Sequence, residues 1–379
     1  MEILSCRYGS DEAEKAFRLR YQVYGNEYKF NEPTIDHENS RYVDPLDEHA
    51  TIYVAMKDGE AIATLRSIRD KDLDFTSLLT PRLKNILKPE PFLNNYRGSL
   101  AICDKLAISS SFRGSTAAKM ITAQVYRDYL NDGVLFILSS CAPYLVDFYS
   151  QLGFLMYSQS VSDINGILTP IVLPVKDWNR LSRIPHYKEV LKSISSKKTH
   201  ESVKWFYETY GSQLDLFVTS LDIKTLDQIT SISQDEISVD GSLAPNMFAS
   251  MTVSDIKELI GASRILHVTT GQEVIRNGQR TDEMYIIVKG EIVYSLHEST
   301  APVIRLGIGQ ALGETEMLTR ASRSTYCFAS VETEIAIMSR QNLFKLMRTN
   351  PQLAVKLLYN LSQSLAVKLR QVSAWTLMQ

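Results

Sequence analysis

The chain divides into two parts of different fold class. Residues 1–184 read as an α/β domain built on a mixed sheet, 185–243 as a helical connector, and 244–379 as a small β-roll (double-stranded β-helix) ending in a C-terminal helix. Three observations predict this. A length of 379 residues is too great for one ordinary core and suits two. Strand-like and helix-like apolar patterns alternate through the first half, as helices covering a sheet require. Beyond about residue 245 short strand patterns are punctuated by Gly271, Gly278, Gly290 and Gly309, then closed by one long helical pattern.

Composition narrows the class. At 44% hydrophobic and 22% charged the chain has the profile of a soluble globular protein. Forty-one basic residues face 43 acidic ones, a net charge of −2, which offers no electrostatic footprint for nucleic acid or a membrane surface. The cysteines Cys6, Cys103, Cys141 and Cys327 stand far apart without a CxxC or a histidine grouping, so neither a disulfide framework nor a metal site is expected. The N-terminus turns acidic too early for a secretory signal, and no apolar run is long enough for a transmembrane segment. The expectation is a cytoplasmic protein.

In order along the chain, residues 12–30 carry helical spacing at Ala16, Leu19, Val23 and Tyr24. Residues 50–57 and 60–68 flank Asp58-Gly59 and read as a β-hairpin, because that dipeptide supplies the positive φ of a tight turn. A strand at 99–108 leads through Arg113-Gly114 into a helix at 115–131. Strand 133–140, helix 143–151 and strand 154–160 follow. Residues 185–235 lack strand alternation and contain helical patterns such as 201–210. Asp240-Gly241-Ser242 and Pro245 mark the next boundary. The helix near 351–375 carries Leu353, Leu357, Leu361, Leu365, Val367 and Leu369, a stripe expected to be too broad for one small roll to cover and hence to form a homodimer.

The most informative segment is Gly309-Gln310-Ala311-Leu312-Gly313-Glu314-Thr315-Glu316-Met317-Leu318, followed by Ala321-Ser322-Arg323-Ser324-Thr325. It resembles the phosphate-binding cassette of cyclic-nucleotide-binding domains. A cyclic phosphodiester carries one negative charge, which a short helix start and one arginine neutralise. The resemblance implies cAMP or cGMP as regulatory ligand, with Arg323 on the phosphate, Glu314 on the ribose 2′-hydroxyl, and Ser324 and Thr325 as hydroxyl donors beside Gly313 and Thr315. It extends over Phe248, the glycine-punctuated strands and the final helix. Where the family has a small residue beside the phosphate, this chain has Glu316, which repels a ligand unless it turns outward or pairs with a base such as Arg320. The alternative for this roll is dimerisation alone. Transcription factors of this kind continue into a helix-turn-helix; here the chain stops soon after Val372, so no nucleic acid is expected as partner.

Two further motifs lie in the first part. Arg113-Gly114-Ser115-Thr116-Ala117-Ala118, opening a helix, and Tyr149-Ser150-Gln151-Leu152-Gly153-Phe154 downstream resemble the acyl-carrier loop and distal motif of acetyltransferases of the GNAT fold. In that fold the loop's N–H groups and helix start hold a pyrophosphate or phosphopantetheine. Thr116 stands where the family has its central glycine. Arg18 to Tyr24, Asp44-Pro45-Leu46-Asp47 and Ala63-Thr64-Leu65-Arg66 are similar to the N-acyl amino acid synthases and acyl-homoserine-lactone synthases, and Ile167 to Trp178 looks like their distal strand.

This resemblance implies an N-acyltransferase using acyl-CoA or an acyl-carrier-protein thioester, with a small-molecule amine as acceptor. Arg20, Asp44, Asp47 and Arg66 would converge near the acceptor, either to orient an amino acid or as an ion-pair network pinning the first helix. The relatives have a glutamate at the position of Ile102. Here either Asp104 substitutes as base, or a water held by Asp44 or Asp47 does, or the domain is impaired. Lys105 takes the family's basic position. Tyr149 either protonates the leaving thiolate or packs its helix, and Cys141 reads as a small core residue. Acetylation of protein lysines, or a non-catalytic signalling protein, are the competing functions.

Overall fold

The computed structural model describes residues 1–30, 32–72, 74–192, 198–216, 223–234, 246–279, 281–295 and 304–376. The chain splits into two compact units, Met1–Leu216 and Phe217–Gln379. The Asp240-Gly241-Ser242 turn and Pro245 lie outside the described residues, as do residues 193–197 of the stretch read as a connector.

In the first unit, β1 (Glu2–Cys6) precedes α1 (Asp11–Arg20), whose N-cap Ser10 accepts from the Ala13 N–H. The helix expected to run on to residue 30 instead widens into a π-helical turn at Tyr21–Glu27. A two-residue hairpin, β2 (Ile35–Asp36) with β3 (Arg41–Tyr42), leads to a 3-10 turn at Pro45–His49 and then to β4 (Thr51–Lys57) and β5 (Glu60–Arg69). Asp58 and Gly59 between them have φ of 52° and 82°, so the hairpin forms as its turn residues require. Three short helices follow that the sequence patterns did not signal: α2 (Phe75–Leu78), α3 (Pro81–Leu87) and α4 (Glu90–Tyr96). Then come β6 (Leu100–Ile108), α5 (Ala117–Asp132), β7 (Phe136–Cys141), α6 (Val146–Gln151), β8 (Leu155–Met156), β9 (Val161–Asp163) and β10 (Gly166–Pro174). Helices α7 (Trp178–Leu181), α8 (Lys188–Lys192) and α9 (Glu201–Leu216) complete the unit.

The eight-stranded sheet has the order β1-β4-β5-β6-β7-β10-β8, with β9 on β10. All its pairings are antiparallel except β6 with β7. One face packs on α5, with Ile121, Val125 and Tyr126 against Ala101 and Cys103. The other packs on α3, α4 and α9, where Phe92, Phe136, Trp205 and Tyr210 meet. The residues read as a connector therefore divide: α9 lies on the first unit's sheet, and α10 (Ile223–Gln234) contributes Ile229 to the second unit's core.

The second unit begins with α10 and α11 (Val253–Gly261). Its strands are β11 (Arg264–Val268), β12 (Glu273–Ile275), β13 (Glu283–Lys289), β14 (Ile292–Ser295), β15 (Ile304–Leu306), β16 (Ala311–Leu312), β17 (Tyr326–Ala329) and β18 (Thr333–Ser339). They form two four-stranded antiparallel sheets, β11-β18-β13-β16 and β12-β17-β14-β15, an antiparallel sandwich rather than a closed barrel. Helix α12 (Glu314–Thr319) follows β16, and α13 (Arg340–Thr349) leads into α14 (Pro351–Thr376).

The apolar stripe of α14 divides between the unit's own core and its surface. Leu353, Leu357 and Leu361 are buried in the unit's own core with Phe248, Ile286 and Met338. The apolar residues α14 leaves exposed are Val355, Tyr359 and Leu369. Among the described residues no helix is long and apolar enough to cross a membrane.

Candidate functional site

Two clusters of buried charge stand out, one in each unit. In the first, α1 ends at Arg20, whose Nη1 lies 2.7 Å from Asp47 Oδ1, and both side chains are 0% exposed. Asp44 and Asp47 close a capping box on the Pro45–His49 turn, which fixes both carboxylates beside the arginines. Arg66 of β5 donates Nε and Nη2 to the two oxygens of Asp104 on β6, each at 2.7 Å, and Nη1 to Asp44. Lys105 completes the group, 3.0 Å from Asp44 and 3.7 Å above the Tyr42 ring.

The structure brings Arg20, Asp44, Asp47, Arg66 and Asp104 together in one ion-pair network. It also shows which of them solvent reaches. The guanidiniums and Asp47 are shut in, whereas the side chains of Lys105, Asp44 and Asp104 are 11%, 17% and 25% exposed and form the rim. Burial alone would raise the Asp44 carboxyl; Arg66 and then Lys105 outweigh it and hold the group well below the usual carboxylate range. Burial and the neighbouring Arg66 push the Lys105 ammonium down.

Asp104 is also where the sheet opens. Strands β6 and β7 pair only over Leu100↔Phe136, Ala101↔Ile137 and Ile102↔Leu138, then diverge. On the other side, the β5–β6 register shifts between Thr64 and Arg66, and Lys105 sits at φ 52°. This β-bulge re-aims the strand. A cleft lies at the split, and Cys103, Asp104, Leu106, Ser139, Tyr149 and Phe154 are among its lining residues. Ile102, at the family's glutamate position, points into the opposite layer with Phe92 and Phe136. Asp104 is the carboxylate at the cleft.

Tyr149 lines the same cleft, and its ring packs edge-on to Phe154 at 5.6 Å. Its hydroxyl makes no hydrogen bond among the described residues, and burial pushes the phenol well up, so it stays protonated. Burial pushes the Cys103 thiol up to about 12, which leaves it unreactive. Cys141 is a buried core residue.

The loop after β6 turns at Gly114 (φ 79°) into the start of α5. Ser115 Oγ accepts from the Ala117 N–H at 3.2 Å, while Thr116 does not cap. Ala117 and Ala118 are buried, and Arg113 pairs with Glu27 rather than facing the loop's open side alone.

In the second unit Gly313 begins α12 at φ 77°, and Arg323 packs so closely that a Cβ on Gly313 would lie 2.0 Å from its Nη1. Arg323 is buried. Its Nη1 donates to the Gly313 carbonyl at 2.9 Å and lies 3.3 Å from Glu316, and its Nη2 donates to Thr281 and to the Glu283 carbonyl. Glu314 is buried and paired with Lys368 of α14. Thr315 accepts from Thr319 through its carbonyl, and Thr325 Oγ1 lies 3.8 Å from Cys327 Sγ. Glu316 turns to Arg323 and Ser324.

Residues 15–173 match the family model of the N-acyl amino acid synthase FeeM, and residues 265–350 that of the cyclic nucleotide-binding domain. The first unit thus carries a domain that matches the N-acyl amino acid synthase model, and the second a cyclic nucleotide-binding domain. Among curated proteins, a Rhodopseudomonas palustris protein named as a potassium channel is 29% identical over 112 residues, 29% of this chain and 27% of that protein. The human patatin-like phospholipase domain-containing protein 6 is 31% identical over 108 residues, 28% of this chain and 8% of that protein. The chain thus spans about a quarter or less of the curated relatives it matches. Among solved structures, a CoA-dependent acyl-homoserine lactone synthase, BjaI, is 14% identical, with 54% of this chain and 98% of that one covered and a TM-score of 0.39.

Sequence reasoning missed two residues of these sites. Glu283, in the nucleotide-binding unit, is fully buried beside Arg323; burial pushes its carboxyl up to about 7 against the pull of that arginine. Lys368 is the other. Both depend on chain segments far from the cassette, and no local motif signals them.

Proposed function

We propose that this chain is a cytoplasmic N-acyltransferase that moves an acyl group from a carrier thioester to the amino group of an amino acid, under cyclic-nucleotide control. The observation that carries this reading is Asp104, which belongs both to the acid–base cluster and to the cleft that Tyr149 also lines. The thioester, of acyl-CoA or an acyl-carrier protein, enters the split between β6 and β7, with its carrier along Arg113 to Ala118.

An amine attacks the thioester carbon, the C–N bond forms and the C–S bond breaks. Asp104, directly or through a water, takes the proton the amine must lose, and the Tyr149 hydroxyl donates to the departing thiolate. Lys105 at the rim is the cation an acceptor carboxylate meets; Arg20 and Arg66 hold the rim residues in place. Cyclic AMP or cyclic GMP in the second unit biases turnover by the usual coupling of about 1–3 kcal/mol, roughly 5- to 150-fold. A homodimer through the exposed Val355, Tyr359 and Leu369 of α14 fits the same reading. Tyr359→Glu should then give monomers by light scattering.

The test is mass spectrometry of lipids from a host overproducing the full chain. A new N-acyl amino acid, reduced at least about 100-fold by Asp104→Asn, supports the assignment. Equal product from the wild-type chain and the variant, or no product above the empty host's, would overturn it.

A further inference from the structure

The nucleotide cassette carries its own anion. Arg323 and Ser324 are the groups that the cassette pattern directs at a cyclic phosphate, and Glu316 holds both. Its Oε2 lies 3.3 Å from Arg323 Nη1, and its Oε1 accepts from Ser324 Oγ at 3.4 Å. The carboxylate is buried, at 8% exposure for the residue. The other bonds of Arg323 go to the carbonyls of Gly313 and Glu283 and to Thr281, so Glu316 is its one carboxylate partner within salt-bridge distance among the described residues. The ribose-directed carboxylate is engaged in the same way: Lys368 of α14 pairs with Glu314 and donates to the Ala311 carbonyl at 2.9 Å.

We propose that Glu316 is a built-in counter-ligand of Arg323, and that it is the residue setting this pocket's affinity for a cyclic phosphodiester. An arriving phosphate exchanges one anion for another on the same guanidinium. If the carboxylate stays, two like charges share a desolvated site, which is costly; if it leaves, the ligand gains only the difference between two ion pairs. Either way the net gain from the phosphate is smaller than at an arginine with no carboxylate on it. The inference rests on the second unit being a nucleotide receptor.

Calorimetric titration of the full chain with cAMP, and separately with cGMP, tests it. Glu316→Ala leaves Arg323 buried and unpaired, so it should bind nucleotide at least about tenfold more tightly than wild type. Glu316→Gln keeps the hydrogen-bonding shape without the charge and should fall between, and it serves if the alanine variant does not fold. Glu316→Ala combined with Arg323→Ala should lose the gain. Equal affinities in wild type and both Glu316 variants, with binding abolished by Arg323→Ala, would overturn the counter-ligand and leave the receptor standing. No binding by any folded form would overturn the receptor reading, and this inference with it.

Discussion

Arg66 and Arg323 are both almost wholly buried, with side chains 2% and 1% exposed, but their surroundings differ in kind. Arg66 touches Asp44 and Asp104, has Asp47 at 3.6 Å, and shares these acids with Arg20 and Lys105. Positive and negative charges there are matched within the chain. Arg323 has one carboxylate at salt-bridge distance and is otherwise held by carbonyls and a hydroxyl, and the nearby Glu283 accepts the Tyr285 hydroxyl at its Oε1. A matched network pins elements together, because removing any member strands the others. An arginine balanced by one carboxylate is better suited to exchanging anions than one locked in a matched network.

The largest expected effect follows from that contrast. Arg66→Ala strands Asp104, leaves Asp44 with Lys105 alone and Asp47 with Arg20 alone, and should cost about 3–5 kcal/mol. Arg323→Ala strands one carboxylate and some carbonyls and should cost about 1–3 kcal/mol. Hydrogen exchange resolved by peptide on the full chain reports each unit separately. Equal losses of protection in the two units would break the comparison.

The two clusters should also answer pH in opposite directions. Asp44 has a lowered carboxyl, so its stabilisation is present above the ordinary carboxylate range and is lost as pH falls. Glu283 is raised from 4.5 to about 7, so its folded form prefers the proton; that stabilisation is full below 4.5 and lost as pH rises through 7. The effect is on the order of 1–3 kcal/mol. Glu283→Gln should flatten the loss in the second unit between pH 4.5 and about 7, the window between the two pKa values. An unchanged pH profile for that variant would place the titration elsewhere.

A smaller effect sharpens the role of close packing. Gly313→Ala meets Arg323 Nη1 at 2.0 Å in a left-handed backbone, so it should displace the guanidinium. Nucleotide affinity should fall with a stability cost of about 1–2 kcal/mol. Unaltered titration curves would mean that Arg323 is not the phosphate's partner.

What the sequence made legible was local. Asp58-Gly59 dictates its own turn, and the run from Gly313 to Thr325 carries the cassette pattern. Ile102 shows the limit. Counting positions marks it as a lost glutamate, but strand alternation turns it into the Phe92 layer, and the bulge at Lys105 brings Asp104 to the cleft. Lysine carries no signal for a positive φ, so the bulge could not be read. The α14 leucines show a second limit, since periodicity says that a face is covered without saying by what. Glu316 stood out as a charge in the wrong place, and only the fold names Ser324 and Arg323 as the groups that hold it.

Tyr149 gives the smallest effect and the closest discrimination. Its ring already packs on Phe148 and Phe154, so Tyr149→Phe keeps the packing and removes one oxygen that bonds nothing among the described residues. Stability should change by less than about 0.5 kcal/mol. If the hydroxyl donates to the thiolate, kcat should fall by about tenfold. That is below the usual worth of an acid catalyst, because a thiolate with a conjugate acid near 8.5 leaves readily without help. An aryl thioester, whose thiolate leaves more readily still, should shrink the difference between Phe and Tyr towards nothing. A ratio that stays constant across donors, or no drop with the alkyl thioester, assigns Tyr149 to packing and leaves Asp104 as the one proton-handling side chain at the cleft.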